Sequence, residues 1–215
     1  METVGNVRAE EILDALDNEQ RAVALASRGP VCVIAGAGTG KTRAITHRIA
    51  YAAAIGTMDP HKVLALTFTA RAAGEMRARL RSLGVPSVAA RTIHAAALKQ
   101  LTFFWPQVFG GRTPDLITTK SSFLAEAIKR AQLQGELSIA SRDLLRDIAT
   151  EIEWAKVSQI APSDYLAESV KRTVKPRINP EQLAKVYTAY ESVKHQERAI
   201  DFEDVLLLTT AMIEQ

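Results

Sequence analysis

Apolar residues in the first half of the chain fall into short continuous runs, each followed by a stretch with helical spacing. Three such runs are bounded by turn residues, at 30–35, 63–68 and 88–93. The pattern predicts buried strands at the first two and a shorter strand at the third. The helical patterns that follow lie at 41–55, 70–83 and 94 to about 104. This alternation predicts an α/β fold with a parallel sheet.

Helical spacing also dominates the beginning and the second half of the chain. At 10–25 it is interrupted near Asp17, and the spacing of Asp17 and Gln20 is typical of a capping box that opens a second short helix. Beyond residue 118 we find no strand-like alternation. Five helical patterns separated by turn residues occur there, at 121–134, 142–157, 163–172, 180–198 and 202–214. The sequence G-G-R-T-P at 110–114 is typical of a linker.

Composition excludes several classes of protein. Of the 215 residues, 47% are hydrophobic and 24% are charged, which is ordinary for a globular protein. No apolar stretch reaches the ~18 residues that a membrane helix needs, and residues 1–8 do not resemble the start of a secretory signal. The single cysteine, Cys32, excludes a disulfide framework, and no His or Cys pair has metal-ligand spacing. We therefore expect a cytoplasmic protein with no membrane partner.

The charge of the chain is unevenly distributed. The net charge is only +3, but residues 31–112 contain eleven Lys and Arg against two Asp and Glu. Such a basic region is compatible with a nucleotide or nucleic-acid partner. A solvated helix face would explain the charge equally well.

The most specific chemical signal is the sequence A-G-A-G-T-G-K-T at Ala35–Thr42, between a predicted strand and a predicted helix. Backbone N–H groups of a glycine-rich turn converge on phosphate oxygens, and the positive end of the helix strengthens the field there. Lys41 would reach the β- and γ-phosphates, and the Thr42 hydroxyl would bind Mg²⁺. The general pattern begins with Gly where this chain has Ala35. The context nevertheless predicts a nucleotide-binding P-loop.

Several segments, in order, resemble motifs of the superfamily 1 helicases of the UvrD/PcrA/Rep type. L-D-N-E-Q is similar to the Q motif, A-G-A-G-T-G-K-T-R to motif I, T-F-T-A-R-A-A-G-E-M to motif Ia and R-T-I-H-A to motif Ib. Y-x-x-Y-E-x-x-K resembles the helix that leads back into the core, and D-F-E-D-V-L the segment before motif II. These segments lie at 16–20, 35–43, 67–76, 91–95, 187–194 and 201–206.

The resemblance implies a fold and a division of the chain. It implies a RecA-like P-loop lobe, in which helices flank a parallel sheet, with an all-helical inserted subdomain called 1B. On this interpretation residues 1–109 form the first part of the lobe and 110–198 form subdomain 1B. Residues 199–215 then return to the lobe and end before motif II. Subdomain 1B would approach duplex or flanking single strand, with 151–156 and 171–177 as possible contacts. Ordinary helix surface is the favoured explanation of those two segments.

The resemblance also assigns a site for ATP and Mg²⁺. Gln20 would recognise the adenine edge, Arg43 would pack or hydrogen-bond nearby, and Thr42 would bind the metal ion together with the nucleotide. Lys41 and Thr42 are the candidate catalytic residues. The implied nucleotide-binding residues are Gln20, Ala35, Gly36, Ala37, Gly38, Thr39, Gly40, Lys41, Thr42 and Arg43.

The same resemblance assigns a path for single-stranded DNA. Phe68 would stack on a base, and His94 would touch the strand. A place in the core at the end of a strand is the alternative for Phe68, and a structural role is the alternative for His94. The implied nucleic-acid-binding residues are Thr67, Phe68, Thr69, Arg71, Arg91 and His94.

The implied function is that of an ATP-dependent 3′-to-5′ DNA helicase in repair or replication. Its partners would be single-stranded DNA and single-strand/duplex junctions, and we expect a monomer that works with the remaining helicase lobes. No apolar run leads into an Asp-Glu pair, since Glu203 and Asp204 lie in a helical pattern. We therefore expect an amino-terminal fragment without ATPase activity of its own. A stand-alone binding module and a fragment of a helicase–nuclease subunit are the alternatives.

Overall fold

The computed structural model describes residues 9–138, 141–173 and 176–214. The chain divides into two compact units, Met1–Ala96 and Ala97–Gln215. None of the helices in the described ranges has the length and apolar character that a bilayer crossing requires.

The first unit alternates helices with two strands. Residues 9–14 are helical, and a 3₁₀ turn at Pro60–Lys62 leads into the first strand. The helices and strands are α1 Asn18–Leu25, α2 Lys41–Ala54, β1 Leu64–Thr67, α3 Ala70–Ser82, β2 Ala89–Thr92 and the start of α4 Ile93–Val108.

The two strands of the first unit are parallel, as the alternation of elements predicts. Leu64 pairs with Ala89 and Thr67 with Thr92, and α3 is the crossover between the strands. Arg77 on α3 donates a hydrogen bond from Nη1 to the carbonyl oxygen of Ala90 at 2.8 Å, which holds the helix against β2. The mixed α/β class with a parallel sheet is therefore confirmed.

One predicted strand is wrong. Residues 30–35 form no strand, and Ile34 is 96% exposed. A strand requires a neighbouring strand to pair with its backbone N–H and C=O groups, and no described residue pairs with this run. Burial of β1 was also overestimated, since Leu64 and Leu66 are each nearly half exposed. An apolar run favours burial, but its composition does not determine whether a neighbouring strand is present to pair with it.

The second unit is mainly helical, as its pattern predicts. Beyond α4 it contains β3 Asp115–Leu116, α5 Ser121–Arg130, α6 Arg142–Val157, α7 Tyr165–Lys171, α8 Pro180–Gln196, β4 Ala199–Ile200 and α9 Phe202–Ile213. Its largest core lies among α5 to α8, where fully buried Ile148, Leu183 and Tyr190 pack together. A smaller core joins α4 to α9 through Leu101 and Val205.

Two details of the second unit differ from the sequence prediction. The short parallel pair β3–β4 was missed because two-residue strands show no alternation. The helix predicted at 121–134 ends at Arg130, and the one predicted at 180–198 ends at Gln196. Gln132 and Arg198 follow these ends with φ values of 59° and 50°. Left-handed backbone of this kind cannot continue a right-handed helix.

Candidate nucleotide and nucleic-acid site

The loop before α2 has the backbone of a phosphate-binding turn. Gly38 and Gly40 have φ values of 78° and 82°, which only glycine adopts without strain. A Cβ on Gly40 would also lie 2.6 Å from Nε2 of Gln20. The Thr39 hydroxyl closes the turn by donating to the carbonyl oxygen of Gly36 at 2.9 Å. The backbone conformation therefore requires glycine at both positions, and close packing against Gln20 requires it at Gly40 as well.

The N-terminal end of α2 is open to a ligand. Gly40 is the N-cap and offers no side-chain cap to the first N–H groups of the helix. The exposed Lys41 folds back over the loop, where its ammonium donates to the carbonyl oxygens of Ala35, at 3.0 Å, and of Gly36. Uncapped N–H donors, the helix dipole and a mobile cation thus meet at one place, which is the requirement of an anion site.

Gln20 connects helix α1 to this loop. Asp17 caps α1 by accepting a hydrogen bond from the Gln20 backbone N–H at 2.8 Å. The Gln20 side chain donates from Nε2 to the carbonyl oxygen of Thr39 at 3.2 Å. Gln20, Ala35, Thr39 and Lys41 all line a cavity of about 510 Å³. The sequence-predicted residues Gln20 and Lys41 are therefore brought to one pocket.

Two arginines of α2 hold the surroundings of the loop. Arg43 donates to the carbonyl oxygen of Ala15, just before α1. Arg48 donates to the carbonyl oxygens of Ala26 and Gly29, at 2.8 and 3.1 Å. Sequence reasoning missed this role of Arg48 and counted it only as part of a basic region. The only feature of the sequence that could have indicated this role is the spacing of Arg48 from Lys41, two helical turns along α2.

The candidate single-strand contacts lie at the carboxyl edge of the parallel pair. Thr67 and Thr92 end their strands side by side, so the residues that follow them emerge at the same edge. Phe68 is 88% exposed there and does not belong to the core. Thr69 caps α3 by accepting from the Ala72 N–H at 3.1 Å. An exposed aromatic ring therefore stands beside a helix N-terminus.

The remaining candidate contacts, Arg71, Arg91 and His94, differ in their exposure and in their position in the fold. Arg71 is exposed and forms an ion pair with Glu75 at 2.9 Å, which offsets part of its charge. Arg91 lies within β2 opposite Leu66, and its side chain is half-buried. His94 is half-buried in the first turn of α4. The structure thus gathers the six candidates around two strand ends, with Phe68 and Arg71 both highly exposed.

The acidic residues near the end of the chain form a cluster of ion pairs. Carboxylate oxygens of Glu191, Asp201 and Asp204 lie within 4.8 Å of one another, a spacing compatible with a metal ion. Two buried ammonium groups occupy this position instead. Both oxygens of Asp201 accept from Lys156 at 2.7 Å, and Lys194 lies 3.1 Å from Asp201. We call these five residues the α9 ion cluster.

The α9 ion cluster shifts the proton affinities of Asp201 and Lys156. Burial by itself raises the pKa of the Asp201 carboxyl, but the ammonium groups of Lys156 and Lys194 outweigh it and hold that pKa well below its usual range. Burial likewise lowers the pKa of Lys156, but the carboxylates of Asp201, Glu191 and Asp204 raise it well above its usual range. Asp201 and Lys156 are therefore both ionised near neutral pH.

Burial corrects one expectation about the second unit, that the segment 151–156 lies on an accessible helix surface. Glu151 and Lys156 are buried, and Glu151 accepts a hydrogen bond from the Tyr165 hydroxyl at 3.0 Å. The segment 151–156 therefore holds structural groups. Glu203 is engaged as well, since its carboxylate lies 2.6 Å from Lys120. In the segment 171–177, residues 174 and 175 lie outside the described residues.

The geometry defines the class of protein: a parallel α/β unit whose phosphate-binding turn opens helix α2, followed by a helical unit. Residues 16–215 match the family model described as the UvrD/REP helicase N-terminal domain, and the chain belongs to that family. It is 45% identical to the ATP-dependent DNA helicase UvrD2 of Mycobacterium tuberculosis, over 97% of this chain and 31% of that relative. It is 32% identical to the ATP-dependent DNA helicase PcrA of Leuconostoc citreum, over 93% of this chain and 26% of the relative. The chain thus spans about a third of the length of these relatives or less.

Proposed function

We propose that this chain forms the ATP-binding and single-strand-binding part of an ATP-dependent DNA helicase that moves 3′ to 5′. The observation that carries the proposal is the open N-terminal end of α2, where Lys41 and the glycine loop surround a cavity. The names of the relatives supply the helicase context. Residues 1–109 would belong to the RecA-like lobe, 110–198 to subdomain 1B and 199–215 to the return into the lobe.

The phosphates of ATP would take the place of the loop carbonyls as partners of Lys41. The ammonium now donates to Ala35 and Gly36, and a triphosphate offers it oxygens of full negative charge. The ammonium is attracted more strongly by an oxygen that carries a full negative charge than by the partial charge of a carbonyl oxygen. The exchange therefore favours the bound nucleotide without any change in the fold of α2.

Gln20 and Thr42 would complete the nucleotide site. One N–H of the Gln20 carboxamide is directed at Thr39, which leaves its oxygen and second N–H for the adenine edge. A carboxamide matches adenine because it pairs one acceptor and one donor with the amino group and ring nitrogen. Thr42 begins α2 beside Lys41 and would hold Mg²⁺, which neutralises phosphate charge when it is bound with the nucleotide.

Single-stranded DNA would cross the carboxyl edge of β1 and β2. Phe68 offers a stacking face there, and the N-terminal end of α3 offers backbone donors to a phosphate. Phosphate contacts release counterions, so the affinity should fall steeply with salt.

Replacing Phe68 with alanine should weaken single-strand binding and leave stability unchanged. Stacking of an aromatic side chain contributes about 1–3 kcal/mol per base, so we expect a loss of affinity of roughly 5- to 100-fold. Because the ring is 88% exposed, its removal opens no cavity. Fluorescence anisotropy with a labelled oligonucleotide measures the affinity.

Phe103→Ala is the matched control, since this ring is also exposed, at 65%, lies on α4 and is not one of the six candidate contacts. Equal affinities for the Phe68→Ala variant and the unchanged chain would refute this path.

The 215-residue chain by itself should hydrolyse ATP negligibly, with or without single-stranded DNA. Phosphoryl transfer needs carboxylates that hold Mg²⁺ and orient water. The adjacent Glu203 and Asp204 are committed to Lys120, Lys156 and Lys194 instead. A phosphate-release assay tests this expectation. DNA-stimulated turnover approaching about 1 s⁻¹, the low end for kinases, would show that the chain contains its own catalytic carboxylates.

A further inference from the structure

The second unit contains a cavity of about 680 Å³ between the end of α4, the end of α8 and the start of α9. Trp105 and Phe109 contribute its aromatic wall, with ring centroids 4.5 Å apart and planes inclined by 39°. Trp105 is partly covered by the core around α4, and Phe109 is 38% exposed. This wall presents aromatic faces on which another flat ring can stack.

The mouth of the cavity is lined by basic side chains. Arg112, His195 and Arg198 all line it and are exposed. Arg112 lies 3.4 Å from Asp115, an exposed pair that leaves most of its donors to solvent. In the described part of the chain, the Arg198 guanidinium has no ion pair or hydrogen bond. Free guanidinium donors of this kind match phosphate oxygens.

Two acidic residues also line the cavity, but their charge is largely compensated. Glu191 and Asp204 belong to the α9 ion cluster and pair with Lys156 and Lys194. Glu191 is still 32% exposed, so its carboxylate can accept a hydrogen bond from an amino group or ring N–H of a base. The cavity therefore combines an aromatic wall, an acceptor and two guanidinium groups.

Arg198 occupies a position where arginine is unfavourable. Its φ is 50°, in the turn between α8 and β4, and its carbonyl oxygen accepts from the Asp115 N–H at 2.9 Å. Glycine or asparagine adopts this conformation more readily. An arginine that costs stability at the mouth of a cavity points to a use for its side chain.

We propose that this cavity holds one unpaired nucleotide of a DNA strand, with its base against Trp105 and Phe109 and its phosphate on Arg112 and Arg198. The inference rests on the proposed function, because it supposes that the protein binds single-stranded DNA. It adds a second contact for the strand, in the helical unit. A protein segment would use the aromatic wall alone and would leave the two guanidinium groups without phosphate partners.

The fluorescence of Trp105 can be used to detect binding in the cavity. The chain has two tryptophans, and Trp154→Phe leaves Trp105 as the only one while keeping an aromatic ring under Arg172, which lies 4.1 Å from the Trp154 ring centroid. Titration of this variant with an oligonucleotide of about 12 nucleotides should quench Trp105 emission in a saturable manner. ATP at the same phosphate concentration should leave the emission unchanged.

The substitution Arg198→Gly distinguishes an effect on DNA binding from an effect on the stability of the fold. Glycine suits the turn, so the melting temperature should stay constant or rise. The affinity for the oligonucleotide should fall about five- to tenfold, since one charge-assisted contact is lost. Lys185→Ala, which removes an exposed charge from α8, is the matched control and should bind as the unchanged chain does.

The outcomes separate this inference from the proposed function. If Phe68→Ala weakens binding while Trp105 is not quenched and Arg198→Gly has no effect, the strand-binding function stands and the cavity proposal is wrong. Quenching by ATP alone would assign the cavity to a free nucleotide and overturn the proposal. Emission that changes with protein concentration, accompanied by dimers in sedimentation, would assign it to a second copy and overturn it as well.

Discussion

Asp201→Asn is expected to lower the free energy of unfolding of the second unit by about 3–5 kcal/mol, as removal of one partner from a buried ion pair does. Asp201 is fully buried and accepts hydrogen bonds from Lys156, Lys194 and the Tyr190 hydroxyl. The substitution keeps the size of the side chain but leaves two buried ammonium groups with less compensating charge. For a chain of this length the melting temperature should fall by roughly 6–20 °C, which circular dichroism measures.

Asp143→Asn is the matched control for this substitution. Asp143 pairs with Arg146 at 3.0 Å, but their side chains are 84% and 73% exposed. Solvent screens such a pair, so the change in stability should stay below about 0.5 kcal/mol. Equal effects of the two substitutions would mean that the ion pairs of the α9 ion cluster are exposed to solvent and not buried.

The pH dependence of stability tests the same cluster independently. Because the folded pKa of Asp201 is depressed, its stabilising contribution is present above the unfolded value of about 4 and is lost as the pH falls below it. Unfolding midpoints should therefore drop steeply below about pH 4 in the unchanged chain. The Asp201→Asn variant should start lower and lose less over the same range.

Lys41→Ala is expected to reduce the affinity of the chain for ATP and Mg²⁺ by about 10- to 100-fold. The estimate corresponds to the ~1.5–3 kcal/mol of a hydrogen bond to a charged group. The ammonium contacts only loop carbonyls, and an exposed side chain of this kind changes stability by less than about 0.5 kcal/mol. Isothermal titration calorimetry measures the affinity, and thermal melting checks the fold.

Lys185→Ala is again the control, because it removes the same charge from an exposed position on α8. Unchanged affinity in the Lys41→Ala variant would contradict the assignment of Ala35–Thr42 to phosphate binding. A large fall in its melting temperature would instead make Lys41 a structural residue.

Local patterns predicted most of the helices and the position of the candidate site. Helix α2 begins at Lys41, directly after the glycine turn, and Thr69 caps α3, because caps and turns depend on residues only a few positions apart. Asp201 and Asp204 likewise form a capping box at the start of α9. The D-x-x-D spacing could have predicted that box, but sequence reasoning used it only for its resemblance to a helicase motif.

Contacts between distant residues could not be predicted in this way. Lys156 precedes Asp201 by 45 positions, and nothing in either local sequence indicates that the two will meet in a buried ion pair. The guanidinium of Arg48 similarly finds carbonyl oxygens of a turn some twenty residues earlier. Charge counts along the chain assign Arg48 to a basic region, whereas its actual partners are backbone carbonyl groups.

The sequence by itself determined the α/β class, the glycine loop with Lys41, and the family to which the chain belongs, since each depends on residue types at short, fixed spacing. Only the tertiary structure decided that 30–35 has no pairing strand among the described residues, that Phe68 is exposed, and that Glu203 and Asp204 are held by lysines. The physical reason is the same in each case. Pairing, exposure and charge compensation are set by which distant residues come into contact, and the order of residues along the chain does not specify those contacts locally.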